Sequence, residues 1–389
     1  NYPDNVVRYF VQQAAKSGMD LFRVFDSLNW IENMRVAMDA VIDTGKICEA
    51  AICYTGDITD PKRNKYDLKY YVNMAKQLES AGAHIIAIKD MAGLLKPGAA
   101  RLLVKTLKEE VGIPLHLHTH DTSGISAATI LSAAEAGVDA VDAAMDSMSG
   151  TTAQPNLGSI AAALRNGKRD TQLDEGVLRK ISDYWEHIRR FYVGFESEVR
   201  SGTSEVYHHE MPGGQYTNLR QQARSLAIEE RWPEVAKSYA DVNVMFGDIV
   251  KVTPSSKVVG DMALMMVTSG ITKEEVLDPD KEISFPESVV SFFKGEMGQP
   301  VGGFPKALQR KILKGVKPLK KRPGEVLAPT DLDAEKAEAE KKVGRQITDE
   351  ELASYLMYPK VFEDYCKHRR QFGNVNILPT LNFFYGMVR

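Results

Sequence analysis

Leu115-His116-Leu117-His118-Thr119-His120-Asp121 is the stretch that decides the fold. Side chains on a strand alternate between its two faces, so the three histidines share one face and Leu115, Leu117 and Thr119 take the other. A single strand histidine is ordinarily a core residue with its hydrogen bonds met. Three of the chain's eight histidines within five positions are harder to explain by packing. Two imidazoles at neighbouring same-face positions can converge on one cation, and neutral imidazole is a common ligand for first-row divalent metals. His118 and His120, nearest the strand's end, are the candidate metal ligands. His116 lies deeper and reads as packing or as support for the ligands.

Around this strand, short apolar runs alternate with amphipathic ones. Helical patterns over 6–18, 31–45, 68–81, 97–110 and 129–136 each lead into a strand pattern, at 21–25, 50–54, 84–88, 115–118 and 140–144. Strands separated by helices of that length predict βαβ units and a parallel sheet. Polar residues stand at the strands' C-terminal ends: Asp26, Thr55, Lys89, His118 with His120, and Asp146. In a (β/α)8 TIM-type barrel that end builds the active site. The expectation is therefore an α/β barrel over 1–165, with about three of its eight strands lying upstream of Asn1.

From 166 to 316 the chain is mainly helical and charged, with glycine- and proline-rich junctions at Met211-Pro212-Gly213-Gly214 and Gly302-Gly303-Phe304-Pro305. This part is expected to cover the barrel mouth. Residues 317–346 read as a linker followed by a solvated helix. Aromatics return in 347–389, which looks like the start of another packed unit.

The totals are those of an ordinary globular enzyme: 389 residues, 43% hydrophobic, 26% charged, net charge −3. No basic run with interleaved aromatics points to nucleic acid, and no apolar stretch approaches the roughly 20 residues that span a bilayer. Three cysteines without a C-x-x-C pair suit a reducing compartment. The start at Asn1 carries no methionine and no leader pattern, which suggests an excised piece of a longer protein.

Lys89 closes the apolar run Ile85-Ile86-Ala87-Ile88 and, by period 2, faces inward with Ile85 and Ala87. A bare buried ammonium is costly and repels a cation. Two readings remain. Lys89 pairs with a carboxylate such as Asp90 or Asp26, or CO2 converts it to a carbamate, an anionic oxygen donor.

Lys89-Asp90-Met91-Ala92-Gly93, His118-Thr119-His120-Asp121-Thr122-Ser123-Gly124 and Met148-Ser149-Gly150 occur here in the order seen in biotin-dependent carboxyltransferase domains. Phe22 to Asn29, Glu210 to Tyr216 and Val252-Thr253-Pro254-Ser255-Ser256-Lys257 extend the series, so the resemblance covers nearly the whole chain. It implies that Lys89 is carbamylated and joins His118 and His120 on a divalent metal, manganese or zinc first, with an aspartate from the barrel's first strand. It implies carboxyl transfer from carboxybiotin, delivered by a mobile biotin carboxyl carrier domain, to pyruvate, giving oxaloacetate. Thr253 would pass a proton between the pyruvate methyl group and the biotin nitrogen, and Ser256 would border the biotin pocket. The parent enzyme would use ATP at another domain and form a homo-tetramer.

The first-strand aspartate and most pyruvate contacts of the family precede Asn1 in its order, and neither a biotinyl-lysine motif nor a glycine-rich ATP segment occurs in the chain. The chain alone is accordingly expected to bind metal poorly and to be inactive. Decarboxylase α subunits and transcarboxylase subunits share this domain type. The tail Ser354 to Phe362 with Leu378-Pro379-Thr380 resembles the approach to an allosteric and tetramer-organising region instead. A biotin-independent metal-dependent lyase or aldolase would keep His-x-His-Asp but would have no use for a carbamate at Lys89.

Overall fold

The computed structural model describes residues 2–196 and 199–374. Five parallel strands form one sheet in chain order: β1 (Leu21–Val24), β2 (Ile47–Cys53), β3 (Ile85–Asp90), β4 (Leu115–Thr119) and β5 (Ala140–Val141). Each is preceded by a helix: α1 (Asp4–Lys16), α2 (Ile31–Asp43), α3 (Leu68–Ser80), α4 (Pro97–Glu110) and α5 (Ser126–Ala136). The sheet is an arc of a TIM-type barrel, with β1 and β5 as its edges.

Sequence explains the local structure. In α4, Pro97 opens the first turn, where its missing N–H costs nothing, and Ala99, Ala100, Leu103, Val104 and Leu107 form one buried stripe. Asp67 caps α3 by accepting from the Tyr70 N–H. The outward strand residues Cys48, Ala50, Ile52, Ile86, Ile88, Leu115 and Leu117 pack against those helices in one core. The opposite, concave face carries Arg23, Glu49, Lys89, His116 and His118.

β5 is shorter than the 140–144 pattern predicts. The chain leaves the sheet after Val141, although the Asp142 N–H still reaches Leu117 O at 2.9 Å. Asp146 is consequently not a strand-end residue. It sits in a short 3-10 turn (Asp146–Met148), and its carboxylate accepts from the Gly158 N–H at 3.0 Å.

A second core joins helices between 206 and 313 around Tyr239, Phe246, Phe292 and Phe293, and takes in Leu28 from the loop after β1. The two parts meet at the strands' C-terminal ends. Ser255 Oγ donates to Ser27 O (3.2 Å), Lys251 Nζ to Thr55 Oγ1 (3.3 Å), the Gly213 N–H to Met91 O (2.9 Å) and the Thr203 N–H to Thr122 O (2.8 Å). A small third core holds Ala339, Val343, Ile347, Leu352, Tyr355, Phe362 and Cys366, with Tyr9 of α1 against it. The helix Leu332–Val343 therefore has a buried side rather than being solvated all round. Leu378-Pro379-Thr380 lie outside the described residues. No described helix is long and apolar enough to cross a membrane.

Candidate metal centre

Register brings the candidate ligands together. Cys53, Lys89 and His118 are Cα partners across β2, β3 and β4, so Lys89 and His118 stand side by side on the concave face. His120 follows at the end of β4, tied to β3 by its N–H on Asp90 O (3.2 Å). The two imidazoles meet through Nε2 atoms 3.2 Å apart.

The other nitrogen of each ring fixes its protonation. His118 Nδ1 faces Asp142 Oδ2 at 2.7 Å and His120 Nδ1 faces Thr152 O at 2.7 Å. Both partners are acceptors, so each Nδ1–H donates to its partner and the two Nε2 atoms are turned toward one another. Burial pushes the His120 pKa down to about 4, which keeps that ring neutral. Two donors at about 2.1 Å from one cation lie roughly 3.0–3.4 Å apart at octahedral to tetrahedral angles, so the spacing fits a shared ion.

Lys89 is 8% exposed, and its ammonium lies 4.7 Å from the centre of the Phe25 ring. Burial draws its pKa below the usual lysine value. Neither carboxylate offered by sequence pairs with it. Asp26 accepts from the Leu28 and Trp30 N–H groups and from Asn33 Nδ2, at 2.7–3.0 Å. Asp90 is filled by the Leu94 and Leu95 N–H groups and the Thr119 hydroxyl. The salt-bridge expectation is corrected on this point: both aspartates spend their oxygens on backbone at the turns that follow β1 and β3.

Beneath the candidate ligands lies a charge network of Arg23, Glu49, His116 and Asp142, of which sequence singled out His116 alone, as packing or support. Arg23 reaches Glu49 through Nε and Asp142 Oδ2 through Nη1 (2.9 Å). His116 lies between the same carboxylates, with Nδ1 2.7 Å from Glu49 Oε2 and Nε2 2.8 Å from Asp142 Oδ1. Burial opposes charge on His116, but its bonds to Asp142 and Glu49 prevail and lift its pKa to about 9. Burial likewise works against the Asp142 carboxylate, yet His116, His118 and Arg23 hold it well below the usual range.

Two glycines wall in His120. Gly93, at φ +71°, lies against His120 O, and a Cβ on Gly213 would stand 3.1 Å from His120 Nδ1 and 2.8 Å from Thr152 O. Thr253 is exposed on the turn between Lys251 and Ser255, and the Thr253–Pro254 peptide is cis. Ser256 lies 1% exposed at the start of the helix Ser255–Ser269, its hydroxyl without a partner. No hydrogen bond joins Thr253 or Ser256 to Lys89, His118 or His120 among the described residues. Nor do three His, Cys, Asp or Glu side chains cluster as a metal site among the described residues.

Comparison with known proteins places this geometry. A profile described as HMGL-like matches residues 12–184, and one described as a conserved carboxylase domain matches 206–389. Pyruvate carboxylase of Bacillus subtilis is 54% identical over 387 residues, covering 100% of this chain and 34% of that protein. The mitochondrial pyruvate carboxylase of Homo sapiens is 47% identical, over 99% of this chain and 33% of its own length. The chain thus spans about a third of the curated relatives it matches. The solved carboxyl transferase domain of Rhizobium etli pyruvate carboxylase superposes with a TM-score of 0.97 at 64% identity, covering 99% of this chain and 65% of that one. The same domain has been solved with pyruvate and biocytin, with equal similarity. The chain belongs to the carboxyltransferase domain family of the pyruvate carboxylases.

Proposed function

We propose that this chain is part of a carboxyltransferase that moves the carboxyl group of carboxybiotin to pyruvate, forming oxaloacetate, within an ATP- and biotin-dependent pyruvate carboxylase. The observation that carries this is the His118–His120 pair, whose Nε2 atoms stand 3.2 Å apart beside a buried lysine that makes no salt bridge among the described residues. That spacing suits a hydrogen bond between the two rings or a divalent cation shared by them, and the metal reading takes the second. Lys89, as a carbamate formed from its amine and CO2 with release of one proton, supplies the missing oxygen donor.

His118, His120 and carbamylated Lys89 would hold a divalent cation, manganese or zinc, together with an aspartate from a strand outside this chain. A cation so held acts as a Lewis acid toward the keto group of pyruvate. The protein's own part is positional. Asp142 and Thr152 O aim the two imidazoles, and Phe25 beside Lys89 keeps that amine's surroundings apolar.

Thr253 stands on a turn fastened at both sides, by Lys251 on Thr55 and by Ser255 on Ser27. A hydroxyl is too weak a base to take a methyl proton alone, but one fixed between donor and acceptor can pass it on in a concerted step. The proton leaving the pyruvate methyl group then arrives on the biotin nitrogen as that nitrogen gives up CO2, and the CO2 joins the methyl carbon. Pyruvate and carboxybiotin become oxaloacetate and biotin. The uncommitted Ser256 hydroxyl leaves a hydrogen-bonding group for the ureido ring of biotin. A carrier domain, an ATP-using domain and a tetrameric assembly belong to the whole enzyme in this reading.

The test uses the full-length enzyme with Lys89→Ala and Thr253→Ala, measuring metal content and transfer of labelled carboxyl from the biotinylated carrier to pyruvate. Lys89→Ala is expected to lose both. Thr253→Ala is expected to keep the metal and lose transfer. Full transfer by Lys89→Ala would remove the basis of the assignment.

A further inference from the structure

The concave face holds more charge than ligation requires, and its arrangement is informative. Three N–H donors converge on the two oxygens of Asp142: His118 Nδ1 at 2.7 Å and Arg23 Nη1 at 2.9 Å on Oδ2, and His116 Nε2 at 2.8 Å on Oδ1. Glu49, fully buried, closes the set by accepting from both Arg23 and His116. Arg23, Glu49, His116 and Asp142 thus form one network, in which Arg23 Nη2 also stands 3.1 Å from His116 Nδ1. A buried ion cluster of this kind costs desolvation and is a weak source of stability. Its geometric effect is definite. Asp142 is the residue after β5, the shortest strand, and besides His118 its carboxylate is held by Arg23 and His116.

We propose that Asp142 is a positioning residue for the metal centre, clamped by Arg23 and His116 so that it holds His118 in the Nδ1–H tautomer with Nε2 turned toward the ion. This rests on the metal reading above and deepens it. His120 receives the same service from a backbone carbonyl, Thr152 O, which cannot rotate or titrate. The two candidate ligands are thus aimed by different means, one by a backbone carbonyl and one by a side-chain carboxylate that Arg23 and His116 hold. Outer partners of ligating histidines commonly govern metal affinity by about 10- to 100-fold.

The experiment measures Mn(II) affinity and the Mn(II) electron paramagnetic resonance spectrum in the full-length enzyme, for Asp142→Ala, Asp142→Asn and His118→Ala, with melting curves of the metal-free forms. Asp142→Ala is expected to bind Mn(II) about 10- to 100-fold more weakly. Asp142→Asn keeps one carbonyl oxygen, so it is expected to bind several-fold more weakly, with an altered spectrum. A purely structural role would lower melting but leave affinity and spectrum alone. If Asp142→Ala does not melt cooperatively, Asp142→Asn decides, and an unchanged affinity with an unchanged spectrum overturns the proposal. The control separates the two claims. Loss of metal in His118→Ala with full affinity in both Asp142 variants defeats the positioning role and leaves the centre standing. Full affinity in His118→Ala defeats the centre itself.

Discussion

The barrel arc and the helical block that follows it treat buried charge in opposite ways. The block around Tyr239, Phe246, Phe292 and Phe293 is closed by aromatic and aliphatic side chains at essentially zero exposure. The arc builds such a core only between sheet and helices. Its other face admits Arg23, Glu49, Lys89, His116, His118 and Asp142. Each of these except Lys89 has a hydrogen-bonded partner within the group. Charge persists inside a protein where it is paired, and an unpaired buried ammonium marks a place where folding has yielded to chemistry.

The sharpest way to break this contrast is Lys89→Ala. If Lys89 serves chemistry alone, carboxyl transfer by the full-length enzyme falls by at least about a thousandfold, equivalent to several kcal/mol of lost Lewis-acid stabilisation. Melting of the metal-free forms should be unchanged or slightly raised, since a desolvated amine is removed. A variant that melts much lower would give Lys89 a structural duty. The opposite signature is expected from Phe292→Ala in the helical block, about 4 kcal/mol of lost stability by denaturant titration. Metal affinity should be retained at denaturant concentrations where it remains folded.

Lys251 tests the seam between the regions. Its side chain is 2% exposed and pairs with Glu210 at 3.0 Å. Burial raises the Glu210 pKa, but Lys251 and Arg63 more than reverse that and bring it down to about 2. Lys251→Met is expected to cost about 3–4 kcal/mol, the penalty for stranding one partner of a buried pair. Loss below about 1 kcal/mol would show that Arg63 alone satisfies Glu210.

A smaller effect is expected from His209, whose pKa burial pushes down to about 4 from the ordinary 6.5. The unfolded chain binds this proton and the folded one refuses it. Stability is therefore whole above pH 6.5 and is lost as pH falls toward 4, by at most about 3 kcal/mol. His209→Gln should flatten that limb of a stability-against-pH curve.

The sequence showed the parallel βα order and the histidine pair because both depend on periods: 3.6 for the helices and 2 for the strands. Pro97–Glu110 begins and ends where the apolar pattern does. The inward direction of Lys89 followed from the same alternation, and register then set it beside His118. Asp142 stayed hidden for the converse reason. It follows a strand of two residues, too short to show a period, and the sequence reading takes Asp146 as the strand-end residue, whereas the structure sets Asp146 in a turn against the Gly158 N–H. Arg23, Glu49 and His116 sit on three strands, and their grouping exists only once those strands are in register. The partners first offered for Lys89 failed because a carboxylate at the start of a turn serves backbone N–H groups first, as Asp26 and Asp90 both do.

Gly93 and Gly213 bear on how the molecule can change over time. Neither has a functional group, and a chemist scanning for reactive side chains would pass over both. Yet one lies against the carbonyl of His120 and the other against its ring, with room for a hydrogen and nothing larger. Any methyl group added there must displace an imidazole, a carbonyl or a whole segment of chain. These two blank positions are therefore as closed to substitution as the histidine they enclose, and a search for indispensable sites that counts only donors and acceptors would miss them.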